Sequence, residues 1–444
     1  MKHKNLMIVL LVPAIVGTMS AIEWQPLYPP MRTCASMILD TLNHRAIMFG
    51  GTSRRSVGAM YNDVWQMRLD SSSSRHWEPL NVAGTPPCAR YQHTAVYDPV
   101  GERMILFGGA DGTNILTDVW TLKLTQGSES WAQLNPADPP EARYVVYAMF
   151  HPGRNSLVIF GGAGASQRFD EVWELKLDST VWRQVEVSGT KPAGREGGGT
   201  MYNAANNRMV IFAGNDYYRA YNDPWALDLT PGSENWQELH PTGDVPDERY
   251  DFACGADPVL NRLYVFAGWS YYTGMWYNDT HVLDLVAMTW TEMNVSGQLP
   301  FERRCPSGVF APSTGDFIVF GGDIGSDFGL NETFCLHVGT GGIAEWHGPP
   351  QTSEASSVTV RRLAGASYAI RYHLAHPGAI RVKILDASGR LISRLFSGLA
   401  SQRDGELTWL GRDDQGRPAS SGEYYCLLET DNRKLVGAKF VVAR

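Results

Sequence analysis

The chain has 444 residues, of which 43% are hydrophobic and 19% charged, and its net charge at pH 7 is −8. That length and apolar content predict a folded chain of more than one domain and exclude one disordered throughout. The acidic balance argues against a general nucleic-acid binder, which needs a basic surface to neutralise phosphates.

The first segment reads "MKHKNLMIVLLVPAIVGTMSAIEW". Lys2 and Lys4 precede an apolar run from Leu6 to Val16, and small residues follow at Thr18, Ser20 and Ala21. This is the plan of a signal peptide over 1–21, with a run too short to span a bilayer comfortably. The expectation is a secreted or cell-surface protein exported through the Sec pathway, with the periplasm as a place of transit. No later apolar run is long enough for a transmembrane helix in the mature chain. Six cysteines (Cys34, Cys88, Cys254, Cys305, Cys335 and Cys426) show no CxxC or metal-finger spacing. They allow 15 pairings, among which sequence does not choose.

From residue 32 onward the chain repeats. Apolar runs end in a small pair at Gly50-Gly51, Gly108-Gly109, Gly161-Gly162, Ala213-Gly214, Ala267-Gly268 and Gly321-Gly322, at intervals of 58, 53, 52, 54 and 54 residues. An arginine stands 18 residues before each pair: Arg32, Arg90, Arg143, Arg195, Arg249 and Arg303. After the pairs come "NDVW", "TDVW", "DEVW", "NDPW", "NDTH" and "NETF", then a second aromatic register at Trp77, Trp131, Trp182, Trp236, Trp290 and Trp346. Each copy holds four β-like pieces. In the second they are "QHTAVYD" (92–98), "RMILFGG" (103–109), "DVWTLKL" (118–124) and "WAQL" (131–134).

A repeat of about 50 residues with four short strands is the signature of a propeller blade. On its Gly pairs, spaced aromatics and P-x-x-R lead-ins, the region resembles the kelch family. The resemblance implies an all-β fold: a six-bladed kelch β-propeller over 22–350, followed by a small Ig-like β-sandwich. Glycine at the end of the second strand permits close backbone approach. Trp120 and Trp131 read as packing between blades. The repeat arginines have a structural role in the loop leading into each blade as their default. Trp24 either opens a strand that latches the last blade or is a shortened lead-in.

Past "HGPPQTSEASS" (347–357) the pattern changes. Residues 351–357 read as a linker and 358–444 as a separate domain. Alternating runs such as "YAIRYHL" (368–374) and "AIRVKILD" (379–386) are separated by Gly/Asp-rich turns, which predicts a small sandwich. Residues 355–444 carry 14 basic and 8 acidic groups, net +6, leaving −14 for the rest of a chain whose total is −8. The phrase "LTWLGRDDQGRPASSGEYYCLLET" resembles the Ig-like domain of the flagellar hook-capping protein and related C-terminal sorting domains of exported bacterial proteins, including type IX secretion cargo. That resemblance implies export, attachment or spacing, with the export machinery as a partner. Asp413 and Asp414 read as turn residues and not as calcium ligands.

Strand alternation puts the repeat arginines on one face with the loops that follow the Gly pairs. Two of those loops are rich in aromatics: "NDYYRAY" (215–221) and "WSYYTGMWY" (269–277). Tyr217, Tyr218, Tyr221, Trp269, Tyr271, Tyr272, Trp276 and Tyr277 are therefore the candidate platform for a glycan or protein ligand. Arg195, Arg249 and Arg219 are the candidate carboxylate-recognising groups. The alternative is that these loops pack on each other. A carbohydrate-active enzyme, epimerase-like or galactose-oxidase-like, is the competing function, with Glu196, Asp251 and Glu302 as its acid/base candidates. The propeller histidines are scattered singly, His93 among them, and no pairing among them recreates the copper ligands of galactose-oxidase-like proteins. No cofactor, metal or catalytic residue is expected, and the binding-module reading leads.

Overall fold

The computed structural model describes residues 29–444 apart from 54–57, 70–74, 294, 298, 326–328, 339–343, 348–356, 364–366, 375–377, 387–390, 401–402, 431–434 and 443–444. The expected signal segment, Trp24 and most of the 351–357 linker lie outside the described residues.

Six four-stranded antiparallel meanders follow one another. The first is Ser36–Asp40, Arg45–Phe49, Val64–Arg68 and Trp77–Pro79. The second is Thr94–Asp98, Arg103–Phe107, Val119–Lys123 and Ser130–Leu134, and the third is Tyr147–His151, Ser156–Phe160, Val172–Lys176 and Val181–Val185. The fourth is Gly199–Asn203, Arg208–Asn215, Ala220–Asp228 and Asn235–Glu238. The fifth is Ala253–Asp257, Arg262–Phe266, Thr280–Asp284 and Thr289–Glu292, and the sixth is Ser307–Ala311, Asp316–Phe320, Thr333–Val338 and Ala344–His347. After each of the first five meanders the chain makes a short parallel bridge to the outermost strand of the next, as Ala83 does to Ser130 and Val295 to Ala344. These outer bridges lock neighbouring sheets edge to edge.

The core lies between sheets. In each of the first five blades the fourth-strand tryptophan packs against the phenylalanine that ends the second strand of the blade before it in the ring. Trp131 meets Phe49 at 5.0 Å, Trp182 meets Phe107 at 5.2 Å, Trp236 meets Phe160 at 4.9 Å and Trp290 meets Phe212 at 4.6 Å. Trp77 of the first sheet packs on Phe320 of the sixth at 5.6 Å, and its Nε1 donates to Thr333 Oγ1 at 2.8 Å. One continuous apolar cluster therefore joins the first sheet to the sixth. Trp120 is half-buried and donates its Nε1–H to Asp118. His93 is buried among the inner strands and bonded to Ser36 at 2.8 Å. Burial, then the charge of Arg90, holds its imidazole down at about 3, so it is neutral and packed.

Near the axis a backbone ring runs through the residues two after each repeat arginine. Cys34 N–H donates to Cys305 O, Gln92 to Cys34, Val145 to Gln92, Asp251 to Gly197, and Cys305 to Asp251. All six of these residues have positive φ, which turns their amides along the ring.

The C-terminal region is a sandwich of a three-stranded and a four-stranded sheet. Its first strand, Ser357–Arg362, begins inside the stretch read as linker, because alternation there is hidden behind Ser and Arg. Trp409, Tyr368, Tyr424 and Cys426 fill its core. Asp413 accepts N–H bonds from Gln415 and Arg417 and an ion pair from Arg417, so it closes a turn. No helix among the described residues is long and apolar enough to cross a membrane.

Candidate ligand-binding face

The loop face forms where each blade's innermost strand begins and its second strand ends. The six repeat arginines lie beneath it and are among the most deeply buried side chains in the molecule. Each donates Nη1 to the carbonyl of a residue 18 positions on in five of the blades: Gly50, Gly108, Gly161, Ala267 and Gly321. Each also pairs with the acid of its own blade's third-strand motif: Asp63, Asp118, Glu171, Asp223, Asp279 and Glu332. An aromatic ring caps most of these guanidinium groups, as Tyr61 does Arg32 and Phe169 does Arg143.

This arrangement corrects four of the sequence-derived site residues. Arg195 is 1% exposed and holds Asp223 through two bonds of 2.5 and 3.1 Å. Arg249 is 0% exposed and holds Asp279 at 2.6 and 2.8 Å. Neither guanidinium has a donor turned to solvent, and a ligand carboxylate would have to displace a buried partner. Tyr221 and Tyr277 are buried because they are the caps, 3.8 and 4.0 Å over Arg195 and Arg249. Burial raises the carboxyl of Asp279, but Arg249 and His281 override it and hold it well below the usual carboxylate range.

Above this layer the remaining candidates do reach the surface. Asp216 builds the blade-four loop: its Oδ1 accepts the amides of Tyr218 and Arg219 at 2.9 Å, and its Oδ2 accepts the Tyr221 hydroxyl. The loop thrusts out Tyr217, 70% exposed, and Tyr218, 83% exposed, with rings 6.0 Å apart. Arg219 is exposed beside them. In blade five a two-residue ladder, Trp269–Ser270 against Met275–Trp276, carries Tyr271 and Tyr272 at its tip, the former 69% exposed. Trp269 and Trp276 are half-buried, with ring centroids 5.5 Å apart and planes tilted by 37°. They hold Arg304 of blade six over their faces, at 4.6 and 5.1 Å, while Arg304 pairs with buried Asp323 at 3.0 Å.

The loops of blades three and four meet. Arg168 of blade three lies 5.5 Å over the Tyr217 ring and pairs with Glu196 at 2.6 Å. Burial, then the charge of Asp216, pushes the Tyr272 hydroxyl up, which puts the blade-five tip within electrostatic reach of the blade-four loop. Sequence reasoning missed Arg168 and Arg304. Arg304 had a signal, as the second of two adjacent arginines at a position where other blades carry Tyr91, Tyr144 or Tyr250. Those tyrosines, with Glu196 and Arg304, line the mouth of the ring, each in a backbone bridge to the residue after its small pair. Among the described residues no group of three His, Cys, Asp or Glu is placed to hold a metal ion. Glu302 is near Tyr425 of the C-terminal domain.

The profile of the KLHDC2/KLHL20/DRC7 Kelch-repeats domain matches residues 33–256 and 154–368. The chain belongs to the kelch-repeat family. A FlgD Ig-like domain matches residues 356–434. The flagellar outer arm dynein alpha chain of Chlamydomonas reinhardtii is 29% identical over 294 residues, 62% of this chain and 6% of that one. Acyl-CoA-binding domain-containing protein 5 of Arabidopsis thaliana is 28% identical over 273 residues, 60% of this chain and 40% of that one. The chain thus spans 6% and 40% of the length of these two relatives. The solved structure described as "Structure of YjhT" has the same fold, with a TM-score of 0.54 at 14% identity, covering 73% of this chain and 99% of that one.

In this kelch propeller the conserved geometry of the repeat is spent on the clasp arginines, and the chemistry open to a ligand is confined to the loops. A kelch domain implies a protein-binding role. Here that role has a rigid base and an uneven face, since blade two offers only "ADGTNIL" where blades four and five offer tyrosines.

Proposed function

We propose that this kelch protein is an exported interaction module that holds a protein partner on the loop face of blades three to five. The observation that carries the reading is the set of neighbouring exposed tyrosines, Tyr217, Tyr218, Tyr271 and Tyr272, beside Arg168 and Arg219. Tyrosine anchors supply large contact area at low entropic cost, and arginine adds bidentate pairing with carboxylates. The N-terminal segment directs export, and the Ig-like domain serves export or attachment.

A glycan is the second reading, favoured by the mouth of the ring. There Tyr91, Tyr144 and Tyr250 stand with the Arg168–Glu196 and Arg304–Asp323 pairs, a mixture of flat apolar faces and fixed polar groups that suits sugars. A partner pull-down from the host's extracellular fraction, run beside a glycan array, tests both. Substituting Tyr217, Tyr218 and Tyr271 by Ala together should cut partner recovery at least about tenfold, the loss expected when central anchors are truncated. Undiminished recovery with the fold intact sinks the loop-face reading. Glycan binding that survives this variant and is lost on Tyr144→Ala favours the second.

A further inference from the structure

Two of the six cysteines are neighbours in the backbone ring, Cys34 on the first blade and Cys305 on the last. Cys34 N–H donates to Cys305 O at 3.1 Å. With standard bond lengths, that single bond leaves the two Cα atoms at most about 7 Å apart. Disulfides span Cα separations up to nearly that distance. Both stand as free thiols in the structure, and we infer that on oxidation Cys34 and Cys305 form a disulfide that closes the ring covalently.

The side-chain directions agree. The pair Gly197 and Asp251 occupies the same relation one third of the ring away, with Asp251 N–H donating to Gly197 O. A Cβ placed on Gly197 would be 3.2 Å from Asp251 Oδ1, so side chains at adjacent ring positions converge. Cys305 stands where Gly197 does and Cys34 where Asp251 does, with φ of 50° and 56° against 75° and 57°. Moreover, Cys34 Sγ is 3.6 Å from Thr33 Oγ1, which is itself 3.4 Å from Cys305 O, so the sulfur is turned to the side of its neighbour. The other four cysteines sit against different groups. Cys88 accepts from Arg90, Cys254 packs on Gly199, Cys335 faces Arg75, and Cys426 lies in the C-terminal core.

The chemistry is thiol–disulfide exchange with a small-molecule disulfide such as oxidised glutathione. One cysteine thiolate attacks the glutathione disulfide and expels one glutathione thiolate. The second cysteine thiolate then attacks the mixed disulfide and expels the other. Both protein thiols lose their protons, the protein is oxidised by two electrons, and one glutathione disulfide becomes two thiols. Both side chains are buried in the closed ring, so exchange belongs to folding or to transient opening between the first and last blades. The bond closes the chain from 34 to 305 into one long loop, and the closure entropy it removes from the unfolded propeller rises with loop length.

The full chain, refolded in a mixture of reduced and oxidised glutathione, is alkylated under denaturing conditions and mapped without reduction. The expected result is a Cys34 peptide linked to the Cys305 peptide, two hydrogens lighter than the sum of the free peptides. Reduction of that species should lower its Tm by roughly 5–15 °C, the shift expected for a long closed loop. Cys34→Ser and Cys305→Ser should each abolish that redox-dependent shift, while Cys88→Ser should keep it. Recovery of Cys34 and Cys305 as alkylated thiols, or linked to other cysteines, overturns the inference. The wild-type map decides this even if a serine variant fails to fold.

Discussion

At the scale of single residues, the propeller rests on buried charge. Arg195 reaches Asp223, Tyr221 and the backbone of Ala193 from a fully buried position. Arg195→Ala strands Asp223 and should cost about 3 kcal/mol, near the lower end for a broken buried pair because the aspartate is partly exposed. Urea unfolding measures it, and a loss under about 1 kcal/mol would contradict the clasp. Glu174 gives the pH counterpart. Burial pushes its carboxyl up, but bonds from Ser156, Lys176 and Arg183 bring it down to about 2 from 4.5. Because its folded value is the lower one, its contribution is complete above about pH 4.5 and disappears as pH falls toward 2. Glu174→Gln should therefore flatten the acid limb of the stability profile over that window, by roughly 2–3 kcal/mol. An unchanged limb would refute this assignment.

The arginine register is readable in the sequence because every copy keeps the same 18-residue offset. The destination of each guanidinium is harder to read, because its acid lies 28 to 31 residues on, in a different strand. A signal was present all the same: each third-strand motif has Asp or Glu as its second residue, from Asp63 to Glu332. Tyr221 and Tyr277 were misassigned for the related reason that each sits two positions before that acid, where it caps the arginine and does not face solvent. The exposed tyrosines at 217, 218 and 271 break the repeat, and that departure is what marks them in sequence and in structure alike.

At the scale of the element, the two residues of each small pair differ in strictness. Gly161 has φ 68°, and the equivalent positions in blades four and five hold Ala213 and Ala267 at 60° and 67°. Gly162 has φ 93°, and a Cβ there would stand 2.5 Å from Val146 Cγ1 and 3.0 Å from Tyr144 O. A Cβ on Gly161 would stand 2.6 Å from the Arg195 carbonyl oxygen, a contact the turns holding Ala213 and Ala267 accommodate. Gly161→Ala should therefore cost about 1–2 kcal/mol, the left-handed penalty plus that adjustment. Gly162→Ala should cost about 2–3 kcal/mol, since strain and a clash add. Denaturation of both variants reads the difference, and equal costs would count against this account of the turn. The strand order and the inter-blade tryptophans were legible because period and aromatic spacing act over short range. The strand at Ser357–Arg362 was not, because its partner Tyr368–His373 had to be known first.

At the scale of the whole molecule, a closed ring, a tethered sandwich and one decorated face make up the account. The sandwich touches the propeller through Phe301 and Tyr425, at 6.2 Å, on a lead-in loop of blade six and away from the blade-four tyrosines. A chain ending at residue 350 should therefore keep its ligand with affinity changed by less than about twofold; loss of binding would place the site at the junction. Export predicts a mature protein whose N-terminus begins at Ile22, which N-terminal sequencing of the secreted form reads directly. The central claim is that the loop face of blades three to five, and not the ring as such, holds the partner. Titration of the purified partner against Tyr218→Ala/Tyr271→Ala and against Val259→Ser/Leu260→Ser tests it most directly, the second pair being exposed at the opposite end of blade five. The account predicts at least about tenfold weaker binding for the tyrosine pair and unchanged binding for the control pair. Equal affinity in the two variants, with both folded, would contradict it.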